Sequence, residues 1–561
     1  MNVFEEEIIR HLKKVTHLTD ISLEVPPDSK LGDYAYPCFE LAKAQKKNPV
    51  QIAQELRTAL EKSHFIDRVE VKGPYLNFFI HKKEFIKATL TKILKERNNY
   101  GSSHNRAKVM VEYCAPNTNK PLHLGHLRNI MLGKTVSNLL KFQGNTVTQV
   151  NLINDRGIHI CKSMLAYQKW GNNKNPDKKS DHFVGDFYVL YSKHEKEHPE
   201  LESEIKDMLV KWEHKDKQII ALWKKMNTWA LDGFAQTFKK LDIKFDKVYY
   251  ESDYYDKAKE VIQKGYEQGI FTKDKDDNIL VKLEQYGIPD KVVLRADGTS
   301  VYITQDIYLA KLKFDEFKVD KSIYVVGSEQ NLHFRQLFKI LELLKLAKSE
   351  NCYHLSYGMV NLPEGKMKSR EGTVVDADNF IEDIIAEAKA ELTSRYTLDA
   401  EELQKRAEAI GLGAIRFFIL KTDAGKDMLY DPKESVSFEG ETGPYVQYTY
   451  ARLCSIQMKY NKKLPEKIDY SLLSSDIEYE IVKKLSLFPN IVADAAQSYK
   501  PHILTRFLLD VSQLGNEFYH NSPILKAEKG LMEARLVLIE CVRQVLKTGL
   551  QLMDIDVLMR M

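Results

Sequence analysis

The segment 116–126, with the sequence PNTNKPLHLGH, constrains the fold of this chain more than any other feature. It follows a short apolar run at 108–113 and precedes apolar residues at helical spacing over 132–140. This order predicts a strand, a loop and a helix. The two histidines of the segment, His123 and His126, then lie where the helix begins.

The start of that helix is suited to bind a phosphate. Its first N–H groups have no partner within the helix, and the helix dipole is positive at this end. His123 and His126 add neutral or cationic donors there. Gly125 has no side chain and lets a flat base or a phosphate approach the backbone. The segment therefore points to nucleotide chemistry, although a four-residue motif alone has many false matches.

Composition narrows the class of protein. The chain has 561 residues, of which 43% are hydrophobic, so several domains with buried cores are expected. Lys and Arg total 83 against 79 Asp and Glu, so nucleic acid would be held by local basic patches. The six cysteines form no C-x-x-C pair, which argues against a zinc knuckle. With no signal peptide and no membrane span, a soluble cytoplasmic protein is predicted.

The first domain is predicted at 1–104, as a small α+β unit. Helical patterns at 4–12 and 49–60 flank a strand pattern at 73–80. The polar cluster 98–105 reads as a linker.

The second domain is predicted at 105–375, as a doubly wound parallel sheet of the Rossmann type, with a helical insertion around 165–245. Asp297-Gly298 lies between apolar residues 292–294 and 301–303 and predicts a hairpin. The strands expected in this domain are 108–113, 146–153, 291–295 and 322–326.

The remaining chain is predicted to be a connecting region at 376–435 and an all-α domain at 436–561. Two apolar stripes at helical spacing support the all-α domain. The first comprises Ile503, Leu504, Phe507, Leu508, Val511, Leu514 and Phe518. The second comprises Leu531, Ala534, Leu538, Cys541, Val545 and Leu552.

A second candidate motif lies at 365–373, with the sequence GKMKSREGT. Lysines on a flexible loop bounded by glycines can close over a triphosphate and neutralise a departing pyrophosphate. Taken alone, the run is more often a solvated charged loop.

Together the two motifs resemble the HIGH and KMSKS signatures of class I aminoacyl-tRNA synthetases. His123-Leu-Gly-His126 differs from HIGH only at its second residue. Lys366-Met-Lys-Ser-Arg370 lacks the serine between the methionine and the second lysine. We assign the principal role to Lys368, with Lys366 as the alternative.

The wider chain resembles the arginyl-tRNA synthetase family over nearly its whole length. The resemblance rests on 32–35, 73–79, 112–121, Asn154-Asp-Arg-Gly157, 302–306 and 440–448. It implies an N-terminal domain that touches the tRNA elbow, a class I catalytic domain and a helical anticodon-binding domain. It also implies ATP-dependent activation of L-arginine, transfer to the 3′ end of its tRNA, and a requirement for that tRNA during activation.

The resemblance also implies the roles of individual residues. The arginine side chain would be held by Glu112, Tyr302 and Asp306, and its amino and carboxylate groups by Asn117, His123 and Gln330. ATP would be bound by His123, Gly125, His126, Lys368 and Ser369. Catalysis would depend on His123, His126, Lys366 and Lys368. A planar, always charged guanidinium is best bound by carboxylates, which agrees with this pocket. From spacing alone, Asp306 could instead be an exposed partner of Lys311.

The tRNA contacts implied by the resemblance are Tyr75 and Asn77 in the first domain and Tyr445 and Tyr448 in the last. Tyrosines can stack on unpaired anticodon bases. At such spacing, however, they are more often part of a helix core or rim, and Tyr75 and Asn77 could be strand residues packed on their own domain.

ATP with Mg²⁺ is the expected substrate complex, with no resident protein metal, and a monomer is expected. Other class I synthetases, a non-catalytic tRNA-binding paralogue and a small-molecule nucleotidyltransferase are the alternatives. Glu112 with Tyr302 and Asp306 argues against the first, the intact His123, His126 and Lys368 against the second, and the two terminal domains against the third.

Overall fold

The computed structural model of this chain describes most of its residues. Those described are 3–60, 63, 65–255, 257–298, 301–347, 349–361, 375–429, 436–465 and 467–561. The loop 365–373, with Lys366, Lys368 and Ser369, lies outside the described residues, so its predicted role is not addressed by the fold.

The N-terminal region combines helices with a small antiparallel sheet. Phe4, Ile8 and Leu12 bury one face of the first helix, as their spacing predicts. The sheet has the order β1-β3-β2, so β3 lies in the middle and is buried along nearly its whole length. The elements are α1 (Val3–Thr16), β1 (Tyr34–Pro37), α2 (Phe39–Gln45), α3 (Pro49–Ala59), β2 (Ile66–Lys72), β3 (Tyr75–Ile80) and α4 (Lys82–Glu96).

The centre of the molecule is a five-stranded parallel sheet with helices on its faces, which confirms the predicted fold class. Its strands are β4 (Lys108–Glu112), β5 (Thr146–Ile153), β6 (Lys247–Tyr250), β10 (Lys321–Gly327) and β11 (Cys352–Tyr357), in the order β11-β10-β4-β5-β6. Val109, Met110 and Val111 are consecutive buried residues of the strand β4, as expected where a parallel sheet is covered on both faces. Helix α5 (Leu124–Phe142) follows β4 and packs closely on it, since a Cβ on Gly133 would lie 2.4 Å from the Tyr113 ring.

Two predictions about this domain were wrong. The run Lys291–Leu294 is a strand, β9, but it belongs to a separate antiparallel sheet with β7 (Thr272–Lys273) and β8 (Ile279–Val281). The predicted hairpin is absent from the described residues around Gly298, because helix α11 (Tyr302–Phe317) begins where its second strand was expected.

Residues 301–303 lie at the start of a helix, in spite of their β-propensity, for two reasons. Ile303, Ile307 and Ala310 are all buried on one side of α11, a pattern that a strand cannot produce. The hydroxyl of Thr304 accepts a hydrogen bond from the Val301 N–H at 3.0 Å and so supports the first turn.

Four helices connect β5 to β6. They pack around their own apolar cluster, which includes Met164, Phe183, Tyr191 and Trp212. The helices are α6 (Ile158–Trp170), α7 (Ser180–His194), α8 (Glu200–Glu213) and α9 (Lys217–Lys240).

Five further helices of the described residues lie between β6 and the C-terminal region. They are α10 (Ala258–Glu267), α11, α12 (Asn331–Leu343), α13 (Ala377–Arg395) and α14 (Ala400–Lys421). Two short strands, β12 (Val360–Asn361) and β13 (Met428–Leu429), pair in parallel between α12 and the C-terminal region.

The C-terminal region is all helical in its described residues, as predicted. Leu504, Phe507, Leu508, Val511 and Phe518 of the first predicted stripe are buried, whereas Ile503 and Leu514 are half-buried. The helices are α15 (Gly443–Tyr460), α16 (Asp476–Ser486), α17 (Phe488–Ser498), α18 (His502–Asn521) and α19 (Lys529–Leu552).

The first and last regions touch. The Tyr479 hydroxyl donates to the Asp33 carboxylate at 2.7 Å, and the Tyr100 hydroxyl donates to the Leu485 carbonyl at 3.1 Å. All six cysteines are buried free thiols. Among the described helices, none has the length and apolar character needed to cross a bilayer. The domain boundaries themselves remain predictions.

Candidate active site

The site lies at the carboxyl edge of the parallel sheet, where β4 ends. Cys114 and Ala115 both have positive φ, +81° and +49°, which non-glycine residues rarely adopt. Two asparagine side chains stabilise this backbone conformation. Oδ1 of Asn129 accepts a hydrogen bond from the Cys114 N–H, and Oδ1 of Asn151 accepts one from the Ala115 N–H. Strain of this kind persists only where its surroundings impose it, and it is common at functional sites.

Asn117 continues this edge toward the neighbouring strand. It forms an isolated parallel bridge with Asn154, supported by the Thr118 N–H donating to the Asn154 carbonyl at 3.1 Å. The half-buried Asn117 is thereby anchored between the ends of β4 and β5.

His123 and His126 begin helix α5, as predicted, with their ring centroids 3.9 Å apart. The His123 N–H donates to Nδ1 of His126 at 3.1 Å. With Nδ1 accepting, a neutral His126 carries its proton on Nε2. Among the described residues, Nδ1 of His123 is buried without a hydrogen-bond partner. A Cβ on Gly125 would lie 3.0 Å from the His123 ring, so Gly125 also makes room for that ring.

Both histidines are neutral. Burial, with a smaller contribution from the Lys120 ammonium, lowers the pKa of His123 to about 3. Burial also lowers the pKa of His126 well below its usual value, and His123 and Lys120 add to the shift. Of the neutral and cationic forms considered from the sequence, the structure favours the neutral one, in which each ring offers one N–H donor.

Glu112 is paired with a lysine that the sequence did not indicate. It ends β4 and lies opposite Tyr324 of β10 and Val150 of β5. Its carboxylate binds the ammonium of Lys313, on α11, and the Lys313 side chain is only 1% exposed. Burial lowers the pKa of Lys313 to about 7, and Cys352 opposes the shift slightly.

Asp306 lies at the more open side of the pocket. Its carboxylate is 2.7 Å from Nε2 of His333 on α12, and its side chain is 31% exposed. Lys311, the partner considered from spacing, instead pairs with Asp315. Asp306 is therefore directed toward α12 and not toward the outer face of its own helix.

Tyr302 and Gln330 lie at the starts of the two helices that carry Asp306 and His333. Tyr302 begins α11 and is 75% exposed, and the four-residue spacing to Asp306 is helical, as expected. Gln330 is exposed at the start of α12, three residues before His333. His333 lies one helical turn after Gln330, so the sequence could have indicated it as a site residue. Lys313 could not be predicted as the partner of Glu112, because 201 residues separate them in the chain.

A further acidic group adjoins the pocket. The Asp155 carboxylate accepts from the N–H and hydroxyl of Ser252, at 2.9 and 2.6 Å. Next to it, burial raises the pKa of Glu251 to about 7, although Arg156 at 3.6 Å opposes the shift. The predicted motif Asn154–Gly157 thus joins β5 to the turn after β6.

Helix α5 also holds both flanks of the loop that lies outside the described residues. The buried guanidinium of Arg128 donates to the carbonyls of Gly358 and Met359, at 2.7 and 3.2 Å. On the other side, the Leu124 N–H donates to the Val375 carbonyl at 3.1 Å. Helix α5 therefore contacts described residues on both sides of the segment 362–374.

The residues proposed to touch tRNA lie in other regions. Asn77 is 5% exposed, within β3, whereas Tyr75 is half-buried and packs edge-to-face on Phe39 at 5.7 Å. Tyr445 and Tyr448 are half-buried on α15. The Arg452 guanidinium lies 4.7 Å from the Tyr448 ring centroid.

Comparisons with known proteins agree with this architecture. The family "tRNA synthetases class I (R), catalytic domain" matches residues 89–431. The family "Arginyl tRNA synthetase N terminal domain" matches 2–80, and the family "DALR anticodon binding domain" matches 446–561.

Relatives match over nearly the whole chain. The arginine–tRNA ligase of Treponema denticola is 45% identical, covering 95% of this chain and 93% of the relative. That of Parabacteroides distasonis is 42% identical over 94% of both. The solved arginyl-tRNA synthetase of Thermus thermophilus has a TM-score of 0.86 at 28% identity, covering 100% of this chain and 99% of that one. The chain belongs to the arginyl-tRNA synthetase family and has the catalytic domain of a class I aminoacyl-tRNA ligase.

Proposed function

We propose a division of labour among the pocket residues for the arginine–tRNA ligase reaction. A carboxylate oxygen of L-arginine attacks the α-phosphorus of ATP, and pyrophosphate leaves. A hydroxyl of the terminal tRNA ribose then attacks the carbonyl carbon of the adenylate, and AMP leaves. The pocket supplies positioning and charge stabilisation and no covalent nucleophile.

Asp306 is the principal partner of the arginine guanidinium in this proposal. It is partly exposed at the pocket, and its only described ionic partner is His333. Glu112 already forms an ion pair with Lys313, so it offers the guanidinium a polar surface with less net negative charge than Asp306 does. Tyr302 lies one turn before Asp306, and Asn117, His123 and Gln330 bind the amino and carboxylate groups.

His123 and His126 donate N–H groups to ATP oxygens as negative charge develops on the phosphates. Their neutral state is supported by burial without a described carboxylate partner. Gly125 keeps the space beside His123 open. Lys366, Lys368 and Ser369 would act on the departing pyrophosphate, with Mg²⁺ as part of the ATP substrate complex.

One observation supports this proposal above the others: Glu112 ends the strand β4 and the His123–His126 pair follows that strand, while Lys313 links the helix of Asp306, α11, to Glu112. A guanidinium site and a phosphate site therefore share one sheet edge. A site built around carboxylates leaves them unpaired with most competing amino acids, which gives large discrimination without an editing domain.

Charging of total tRNA with each of twenty amino acids tests the proposal. We expect ATP-dependent charging with arginine and background levels with the other amino acids. Charging with another amino acid would support a different class I synthetase, and tRNA binding without charging would support a non-catalytic paralogue.

The histidine and lysine roles are tested by substitution. His126→Ala should lower arginyl-adenylate formation by about 100- to 1,000-fold, because it removes one donor to developing charge. Lys368→Ala should lower kcat more than it raises the KM for arginine. If Lys366→Ala has the larger effect, Lys366 is the principal lysine. Lys311→Ala is a matched control, since Lys311 pairs on the surface with Asp315.

The requirement for tRNA during activation is part of the proposal. Pyrophosphate exchange should need tRNA(Arg), including tRNA whose terminal ribose cannot accept arginine. Robust exchange without tRNA would contradict this requirement and leave the ligase activity intact. The monomeric state, the cytoplasmic location and the tRNA contacts of Tyr75, Asn77, Tyr445 and Tyr448 are also proposals.

A further inference from the structure

Three side chains that can bind a metal ion meet between α7 and α8. His194 is the last residue of α7, and Glu197 and His198 lie in the turn that follows it. Each of the three offers one ligand atom, and these atoms all lie within 4.8 Å of one another. We call this group the α7–α8 cluster.

The backbone of the turn brings the three side chains of the cluster together. The N–H groups of Glu197 and His198 both donate to the His194 carbonyl, each at 3.0 Å, so the chain makes one further helical turn after α7. Side chains four residues apart in such a turn lie on one face. The ring centroids of His194 and His198 are accordingly 5.9 Å apart.

The ring of His198 is oriented by Glu200, the first residue of α8. Nδ1 of His198 lies 3.0 Å from Oε1 of Glu200. An ionised carboxylate can only accept a hydrogen bond, so Nδ1 is the donor and a neutral His198 has its lone pair on Nε2. Histidines that bind metals usually have such a carboxylate on the other ring nitrogen, where it fixes the tautomer and the ring orientation.

The ring of His194 is oriented by packing. His194 is half-buried and stacks on Trp170, the last residue of α6, with the ring centroids 4.5 Å apart and the rings 29° from parallel. Among the described residues, neither its ring nitrogens nor the Glu197 carboxylate has a hydrogen-bond or ion-pair partner. The cluster therefore presents ligand atoms that the protein itself does not satisfy.

A second group of possible ligands differs in this respect. Asp181, His182 and Asp378 also lie within 4.8 Å of one another. The Lys179 ammonium, however, is 2.8 Å from a carboxylate oxygen of Asp181 and 2.8 Å from one of Asp378. A lysine already supplies the positive charge there, so the second group needs no metal ion.

The ligands of the α7–α8 cluster select a class of metal. Imidazole nitrogens suit Zn²⁺ and its transition-metal neighbours, whereas Mg²⁺ and Ca²⁺ prefer sites made of oxygen ligands. Three protein ligands leave a fourth position to water, as in zinc sites that keep an exchangeable ligand. All six cysteines are buried free thiols, so in the folded protein they do not compete for an added ion.

We propose that the α7–α8 cluster binds one divalent transition-metal ion through His194, Glu197 and His198, with Glu200 orienting His198. The ion joins the end of α7 to the turn before α8. The sequence predicted no resident protein metal, so this site is an addition to that expectation. It does not depend on the proposed ligase function.

The test is a Zn²⁺ titration of the full-length enzyme without a histidine tag, in competition with a chromogenic chelator. The wild type should bind one Zn²⁺ at this site. Glu200→Ala should weaken Zn²⁺ binding by roughly 10- to 100-fold, the usual effect of removing the partner that orients a ligand. His198→Gln removes a ligand itself and should weaken binding by more than about 100-fold.

His214→Gln is the matched control. His214 is another exposed histidine near the end of a helix, with Nδ1 2.8 Å from the Val210 carbonyl, and it belongs to neither group of possible ligands. It should keep the wild-type affinity for Zn²⁺. Excess Mg²⁺ should not displace the bound Zn²⁺, since the imidazole ligands favour the transition metal.

The proposal is overturned if the wild type binds Zn²⁺ no more tightly than His198→Gln does, or if His214→Gln loses as much affinity as His198→Gln. Because His198 is exposed, this comparison leaves the stack of His194 on Trp170 intact. His198→Gln and Glu200→Ala should charge arginine at the wild-type rate. A wild type that charges no arginine overturns the ligase function and leaves the result of the Zn²⁺ titration unchanged.

Discussion

The two helices that border the site differ in whether their ionisable groups have a charged partner. We call the side with His123 and His126 the α5 wall, and the side with Glu112, Lys313 and Asp306 the α11 wall. On the α5 wall, His123 is half-buried and His126 is buried, neither has a described carboxylate partner, and desolvation lowers the pKa of both. On the α11 wall, each carboxylate has a cationic or potentially cationic partner, Lys313 for Glu112 and His333 for Asp306. Burial of a group with no partner favours its neutral form, whereas an oppositely charged partner favours the charged form.

This difference matches what each wall binds in the proposed reaction. The phosphates of ATP bring their own negative charge, so neutral donors suffice and leave little to desolvate. The guanidinium of arginine is always charged and needs a carboxylate that stays ionised. The two carboxylates of the α11 wall also differ from each other. Glu112 is buried and paired with Lys313, whereas Asp306 is more exposed.

The largest effect is expected for Lys313→Met, which leaves Glu112 buried without its cation. The free energy of unfolding should fall by about 3–5 kcal/mol, the usual result of removing one partner of a buried pair. Denaturant unfolding measures it. The double variant Lys313→Met/Glu112→Gln removes the orphaned charge and should recover part of the loss. Equal stability of the single and double variants would mean that Glu112 carries no buried charge.

Asp306→Asn is expected to weaken arginine by about 1.5–3 kcal/mol, because it replaces a charge-assisted hydrogen bond. That is a rise of roughly 10- to 150-fold in the KM for arginine. The KM for ATP should stay near the wild-type value. Steady-state charging at varied arginine measures both. A variant with an unchanged arginine KM would exclude Asp306 from the guanidinium site.

Acid should destabilise the α5 wall. The unfolded histidines bind a proton near pH 6.5, whereas folded His123 does so only near pH 3 and His126 also does so well below its usual value. Stability is therefore lost as the pH falls below 6.5, by about 1.4 kcal/mol per pH unit for each histidine. His126→Asn keeps an acceptor for the His123 N–H and removes one titrating group.

Between pH 7.5 and 5.5, His126→Asn should lose about 1.4 kcal/mol less stability than the wild type. Unfolding at the two pH values measures this difference. Parallel pH profiles for the two proteins would show that His126 already titrates normally in the folded state.

The smallest effect is expected at the surface of α11. Asp315→Asn breaks the exposed pair with Lys311, whose side chains are 40% and 55% exposed for lysine and aspartate. Stability should change by less than about 1 kcal/mol, and the arginine KM should not change. A large rise in that KM would place the guanidinium on the outer face of α11 and reverse the comparison with Asp306.

Local patterns predicted much of the fold. The strand 146–153 was placed at the same residues as β5, and the apolar stripes at 503–518 and 531–552 became α18 and α19. The hairpin prediction at Asp297-Gly298 was wrong. The β-branched and aromatic residues at 301–303 favour a strand locally, but Ile303, Ile307 and Ala310 share one buried face only in a helix.

Several site residues could not be predicted because their partners are distant in sequence. Asn129 and Asn151 hold strained backbone at Cys114 and Ala115, and nothing near either asparagine in the sequence indicates this role. The Glu112–Lys313 pair likewise forms only when the end of β4 meets α11.

The sequence by itself determined the family, the order of the domains and the positions of His123, His126 and Asp306, because motifs and hydrophobic periods are properties of neighbouring residues. The tertiary structure alone decided which groups are charged. Lys313 meets Glu112 across 201 residues of chain, and His123 is neutral because of what surrounds it. Charge depends on desolvation and on partners in space, and neither is written in the local sequence.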